Sequence, residues 1–394
     1  MTAMCIASSL GTGLPATLAA LRSGSSGLLP CRFETVDLPT YLGEVPGLDD
    51  WRLDPAFARY DCRNNRLARL ALAQDGFEPA IHAAKARYGA SRIGVFLGTS
   101  TSGMLQTEQA WRRRDADGRL PDDFDYAGTQ SIFSIADFVT ATLEVSGPAL
   151  VVSSACASTT KVFATAARMI ETGMCDAAIV GGADSLCLTT LYGFNALQLL
   201  ATGPCRPFDA ERDGLSIGEA AGFALLERAD QRSRAALPAG VLVLGVGESS
   251  DAHHMSAPRA DGAGAKLSMS RALLAAGLGP ARIDAINLHG TATRIGDAAE
   301  DQAVVSLFGE ATPCSSTKGH TGHTLGASGI VEAVIAALSI SENFIPGSPH
   351  TMARDPDLRC CYVTAPRPAR IDRVLSNSFG FGGSNASLIL GRTE

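Results

Sequence analysis

Short apolar runs alternate along the chain with longer stretches in which apolar residues recur every three or four positions. The runs at 93–97, 150–153, 177–180, 222–226, 241–246, 285–288 and 387–390 have the length and composition of buried strands. Between them the period lengthens. After Cys156, residues Val162, Phe163, Ala166, Met169 and Ile170 keep one apolar face at helical spacing. Strands alternating with helices predict an α/β protein with mainly parallel, buried sheets.

The pattern echoes itself. One half carries an apolar strand, SSAC and a small-residue helix over 157–171; the other carries PCSSTK and a small-residue helix over about 324–338. Each half ends in an apolar strand, GFALLER or SLILGR. Two similar lobes are expected, 1–238 and 239–394, divided at the polar, charged stretch 228–239 that contains Pro238. Only MTAMCIAS precedes the first LG turn, so the opening strand is expected to be short or its start late, with the first lobe's folding the less secure for it.

Composition narrows the function. With 46% hydrophobic and 19% charged residues in 394, the chain can bury an ample core and is not a disordered or highly charged tail protein. A net charge of −7 argues against nucleic acid as the main partner, because phosphate binding needs a positive field. No uninterrupted apolar run of about 18 residues predicts a membrane span, and the N-terminus lacks the basic and apolar regions of a secretory signal. Ten cysteines without a CxxC pair, set largely in apolar runs, suggest reduced thiols in a cytoplasmic protein.

Four segments carry candidate chemistry. In ALVVSSACASTTKVF, small residues flank Cys156 where a strand turns into a helix. A thiol at a helix N-terminus feels the partial positive charge of free amides, which favours thiolate, and those amides can face a developing oxyanion. Taken alone, Cys156 could equally be a small core residue like the other nine. In INLHGTATRIGD, His289 ends a strand and Thr291 and Thr293 sit in a polar turn. In CSSTKGHTGHTLGASGIVEA, Lys318 and His323 share a Gly- and Thr-rich loop leading into a helix with Glu332. In SNSFGFGGSNAS, Phe379 and Phe381 interleave with glycines, as where backbone approaches a ligand.

Two other readings are set aside. His320 and His323 have HxxH spacing, but no neighbouring Cys, His, Asp or Glu completes a tetrahedral metal site, and His253–His254 is no better. Gly11, Gly13 and Ala16 fit GxGxxA with Glu34 beyond, but the strand expected before the acidic residue is not evident. One thiol, two imidazoles and a lysine suit acyl exchange between thioesters. The imidazoles can donate to a thioester carbonyl and stabilise the enolate left when a malonyl unit loses carbon dioxide.

The segments around Cys156, His289, Lys318–His323 and Phe379–Asn385 resemble the β-ketoacyl-acyl carrier protein synthases of the thiolase fold, supported by GTSTSG, AIVGGAD, CRPFDAERDGLSIGEAA and GVGESSDAHHMSAP. The resemblance implies two βαβαβαββ halves in a five-layered αβαβα sandwich, the first carrying the nucleophile and the second the histidines. It implies that Cys156 takes the acyl chain, that its amide and that of Phe381 form the oxyanion hole, and that His289 and His323 hold the malonyl carbonyl. Lys318 would pair with Glu332 and support His323, Thr291 and Thr293 would bind the phosphopantetheine arm, and Phe381, beside Phe379, would gate the acyl pocket. The family needs no cofactor or metal, its substrates riding on acyl carrier protein.

Cys-His-His points to elongation, where priming synthases use Cys-His-Asn. A CoA thiolase would need a second catalytic cysteine late in the chain, and Cys360 and Cys361 lie in another context. A chain-length-factor-like subunit would lack Cys156. Within the family, YLGEVPGL and CRNNRLARLAL look most similar to aryl-polyene synthases, implying an aryl or polyenoyl thioester and a homodimer or a heterodimer with a chain-length-factor-like subunit. An acidic enzyme serving an acidic carrier needs a local positive patch. Arg63, Arg66 and Arg69 recur at helical spacing and are the candidates, with Arg112, Arg113 and Arg114 a second cluster.

Overall fold

A computed structural model describes residues 1–229 and 240–393. The expected boundary between 238 and 239 lies outside the described residues.

The first sheet contains strands β1 (Ala3–Ser8), β2 (Ile93–Gly98), β3 (Ala149–Val152), β4 (Ala177–Asp184) and β5 (Ala220–Glu227), in the order β1-β5-β4-β2-β3. The second contains β6 (Val241–Ser250), β7 (Ala285–Asn287), β8 (Pro313–Ser315), β9 (Arg373–Gly380) and β10 (Ser384–Arg392), in the order β6-β10-β9-β7-β8. The two orders are the same permutation. In each, the fifth strand runs antiparallel to the first and fourth, while the second runs parallel to the third and fourth. The sequence echo is therefore a repeated topology.

The sheets are mixed rather than mainly parallel. A strand covered on both faces reads as a continuous apolar run whatever its direction, so composition could not distinguish the two. All seven expected strands form. Strand β9 escaped notice because its centre, Ser376–Asn377–Ser378, is polar yet buried, and hydrogen bonds such as Ser387 Oγ to Asn377 Oδ1 at 2.8 Å satisfy it. The opening strand pairs through all six residues, from Ala3 opposite Leu225 to Ser8 opposite Ala220, so it is not a weak edge.

Helices make the other three layers. Helices α1 (Arg63–Leu72), α2 (Phe77–Tyr88) and α3 (Ser134–Leu143) cover the outer face of the first sheet. Helix α4 (Ser158–Glu171) lies between the sheets, and α5 (Leu188–Ala196) beside the site. Helices α6 (Ala263–Ala276) and α7 (Arg294–Phe308) cover the outer face of the second sheet, and α8 (Ser328–Glu342) joins α4 in the middle.

Helix α8 is apolar or small all round because both its sides are buried. A side chain at Gly329 would fall 2.1 Å from Thr160 Oγ1, so glycine there lets α8 close on α4. Leu325–Glu342 is the one stretch among the described residues long and apolar enough to cross a bilayer, and 89% of it is buried within the protein.

Candidate active site

Strand β3 ends at Val152 and the chain turns sharply before α4. Ala155 takes a left-handed φ of 46°, a cost that tight packing must hold in place. The turn is closed by Ala157 N–H to Ser154 O at 3.1 Å and by Ser154 N–H to Ser158 Oγ at 2.9 Å. This lifts Cys156 into the pocket between the two lobes. Strand β9 brings Gly380 against it. A β-carbon on Gly380 would lie 3.1 Å from Ser154 O and 3.2 Å from Cys156 N, so only glycine lets the backbones meet comfortably.

His289 follows β7 and His323 follows the short helix Lys318–Thr321. His323 Nε2 is 2.9 Å from Cys156 Sγ. The imidazoles meet edge to face, with ring centres 5.3 Å apart. One ligating atom from each of Cys156, His289 and His323 lies within 4.8 Å of the others. On the far side of His323, Leu325 N–H donates to Nδ1 at 3.3 Å, which assigns the ring hydrogen to Nε2. His323 thus presents an N–H to the sulfur.

Lys318 is buried, and its Nζ donates to Glu332 Oε1 at 2.5 Å. Burial pushes Glu332 up to about 7, against the pull of Lys318. Burial, and then the Lys318 charge, hold both His289 and His323 well below the ordinary imidazole range, so both are neutral donors.

The thiol departs from expectation. Cys156 does not open the helix; α4 begins at Ser158. Burial pushes the thiol up to about 12, while Lys318 and the Phe381 amide pull it down. Desolvation of a sulfur anion outweighs the partial charges of the helix end. The amides of Phe381 and of Cys156 itself both face the sulfur.

The pocket also takes in Thr291, Thr293, Phe194, Phe379 and Phe381 and encloses about 90 Å³. Thr291 and Thr293 hydroxyls lie 3.0 Å apart. Phe381 stacks on Phe194 of α5 at 5.3 Å, and Phe379 lies 5.8 Å from the His289 ring. The HxxH pair separates: His320 is enclosed between the carbonyls of Ser25 and Gly347, away from the sulfur. Cys156, His289 and His323 are donors a soft divalent ion accepts, but a metal there would occupy the lone pairs a nucleophile needs.

The arginine surface is corrected. Arg63 is 1% exposed and bound to Glu219, Asp49 and Glu44, so it is a core ion pair. Arg66 grips Asp61 through two bonds of 2.6 and 2.9 Å, and Arg69 pairs with Glu78 at 2.5 Å. The helical spacing that suggested a patch turned Arg63 and Arg66 inward, where carboxylates from other segments pair with Arg63 and the nearby Asp61 pairs with Arg66. Arg112, Arg113 and Arg114 are exposed, with Arg112 paired to Glu34 and Arg113 to Asp123.

Sequence reasoning missed the carboxylates that hold the loops. Glu300 of α7 accepts the N–H groups of His289 and Gly290, each at 2.8 Å, and the Asn377 amide at 3.1 Å. Its spacing of eleven from His289 was the available signal, about two helical turns beyond the loop it holds. Asp184, at the end of β4, was within the AIVGGAD motif but had no assigned role.

The chain matches the sequence model described as beta-ketoacyl synthase, N-terminal domain over residues 2–232, and the C-terminal domain model over residues 241–352. It is 34% identical to 3-oxoacyl-acyl-carrier-protein synthase 2 of Rhizobium meliloti, over 100% of this chain and 98% of that protein. Among solved structures it is similar to a ketosynthase (ApeO) in complex with its chain length factor (ApeC) from Xenorhabdus doucetiae. That match has 36% identity and a TM-score of 0.89, covering 100% of this chain and 97% of the other. It is also similar to the ishigamide ketosynthase/chain length factor, at 29% identity and a TM-score of 0.88, covering 99% and 98% of the two chains.

Proposed function

The chain belongs to the beta-ketoacyl synthase family, and from that premise we propose that it elongates acyl chains by decarboxylative condensation with malonyl-acyl carrier protein. The observation that carries this reading is the convergence of Cys156 Sγ, His289 and His323 within 4.8 Å. Cys156 attacks the acyl thioester, and the departing phosphopantetheine thiol takes up the thiol proton. The amides of Cys156 and Phe381, both facing the sulfur, hold the oxyanion of that step.

In the second half-reaction the malonyl thioester carbonyl lies between the two imidazole N–H groups. Because both rings are neutral, they act as hydrogen-bond donors to the enolate formed when carbon dioxide leaves. The enolate carbon attacks the acyl-Cys156 carbonyl, and the sulfur departs as thiolate and takes a proton from solvent to restore the resting thiol. Burial, helped by the charge of Lys318, which Glu332 holds in place, keeps the imidazoles neutral. Thr291 and Thr293 line the approach of the phosphopantetheine arm, and Phe381 must leave Phe194 for a long acyl chain to enter. Thiol, imidazoles and amides supply every step of this scheme, so the enzyme works without a cofactor of its own.

On the side facing away from β2, the β3 edge has no partner strand among the described residues, and Leu150 on it is 40% exposed. With Phe133, Ile132 and Tyr126 also exposed, it suits a second copy or a chain-length-factor-like subunit. The Xenorhabdus relative is a ketosynthase in complex with such a factor, which supports the heterodimer, while the motifs YLGEVPGL and CRNNRLARLAL support an aryl or polyenoyl substrate. Ten unpaired cysteines support a cytoplasmic location.

Intact mass after incubation with acyl-loaded carrier protein tests the reading. We expect an acyl adduct on the wild type and none on Cys156→Ala, and carbon dioxide release from malonyl carrier only when His289 and His323 are present. No adduct with any acyl donor, alone or with a chain length factor, would overturn it.

A further inference from the structure

Asp184 is fully buried, and the partners of its carboxylate are hydroxyls and backbone N–H groups. These donors converge on its two oxygens from two separate segments. From the loop after β2 come Thr99 Oγ1 at 2.7 Å, Ser100 N–H at 2.8 Å, the Ser100 hydroxyl, Thr101 N–H at 2.8 Å and Thr101 Oγ1 at 2.9 Å. From the loop after His323 comes Gly326 N–H at 2.6 Å. Six donors on one side chain suit an acceptor-only carboxylate.

The Gly326 peptide is held from its other side too. Its carbonyl accepts the Thr159 hydroxyl at 2.6 Å, and Thr159 belongs to α4, three residues past the nucleophile. A β-carbon on Gly326 would fall 2.7 Å from the Asp184 carboxylate, so the approach is specific to glycine. Next to this peptide is Leu325, in a left-handed φ of 52°, whose N–H donates to His323 Nδ1 at 3.3 Å, where the Ser328 hydroxyl also lies within 3.0 Å. Thr159, Gly326 and Asp184 thus tie the cysteine turn of one lobe to the histidine turn of the other.

We propose that Asp184 is a positioning residue for condensation: by fixing the Gly326 peptide it holds Leu325 N–H on His323 Nδ1 and so keeps the ring hydrogen on Nε2, facing the thioester. It acts through His323 and touches no substrate. The inference rests on the condensation reading above. A second consequence separates this role from packing alone. The Asp184 charge also opposes ionisation of Cys156, so its removal eases thiolate formation while it disturbs the donor.

The test is Asp184→Asn in the full-length protein, with acyl loading, malonyl decarboxylation and iodoacetamide alkylation of Cys156 measured side by side. Loading is expected to stay within about threefold of wild type, while decarboxylation kcat falls at least about tenfold with KM for malonyl carrier nearly unchanged. The pH profile of alkylation should move to lower pH. Parallel losses of loading and decarboxylation, an unchanged kcat, or an alkylation profile that stays or moves up would each overturn the proposal.

If Asp184→Asn fails to fold, Thr159→Val and Thr159→Ser probe the same peptide from its carbonyl side. The serine variant should keep decarboxylation and the valine variant lose it; equal rates would overturn the proposal. The wild-type arm reports on condensation itself, since failure to load or decarboxylate there overturns that reading, whereas alkylation needs no carrier and still tests Asp184.

Discussion

His323 Nε2 and Cys156 Sγ lie 2.9 Å apart although 167 positions separate them in the chain. The contact joins the end of β3 in one sheet to the loop beyond β8 in the other, and it sets the chemistry of both groups. The sulfur receives an N–H from a ring that burial keeps neutral, and that same burial keeps the resting sulfur protonated.

The thiol therefore titrates late. Alkylation of Cys156 by iodoacetamide should rise about tenfold per pH unit between pH 8 and 10, because the group ionises only near 12. A plateau reached near pH 8.5, measured by mass spectrometry of the Cys156 peptide, would show an ordinary exposed thiol.

The two imidazoles make stability fall in acid. Their folded pKa values lie below that of the unfolded chain, so the unfolded state binds more protons as pH drops through about 6.5. Stability should be fully present above that pH and decline below it, with each ring contributing up to about 1.4 kcal/mol per pH unit. Urea unfolding at pH 7.5 and 5.5 should show the decline, and His289→Gln should lessen it.

Removing the carboxylate of Glu300 would leave the N–H groups of His289 and Gly290 and the Asn377 amide without their acceptor. Glu300→Ala should cost about 2–4 kcal/mol and lower decarboxylation more than acyl loading, since the loop it holds carries His289 rather than Cys156. Denaturant midpoints and the two half-reaction rates measure this.

Charge reversal at Arg66 should act on the fold. Its guanidinium holds Asp61, and a carboxylate in its place would set two like charges together in a largely buried position. Arg66→Glu should destabilise by about 3–5 kcal/mol, read by thermal unfolding. A stable variant with raised KM for carrier protein would return Arg66 to the docking surface.

The exposed strand edge gives a prediction about assembly. Leu150→Lys places a charge on the apolar β3 edge and should shift the protein toward monomer in analytical ultracentrifugation, alone or with a co-expressed chain length factor. Unchanged mass would move the interface elsewhere.

Much of the site was legible because its chemistry is local. A cysteine among small residues at a strand end, a histidine after an apolar run and a Lys-Glu pair fourteen apart are short-range patterns. Their union was legible only through resemblance to a family. Arg63 shows the limit: helical spacing placed it on a face, but three carboxylates from 14 to 156 positions away made that face interior.

By itself, then, the sequence determined where the apolar strands and the helix after Cys156 form, that the chain repeats one pattern twice, and which side chains have reactive atoms. Those properties depend on neighbours within a few turns, where period and propensity act. Strand direction, the inward turn of Arg63 and Arg66, the neutral rings and the late-titrating thiol were decided by the tertiary structure alone. Burial and long-range pairing set them, because the cost of removing a charge from water depends on what the folded chain places beside it.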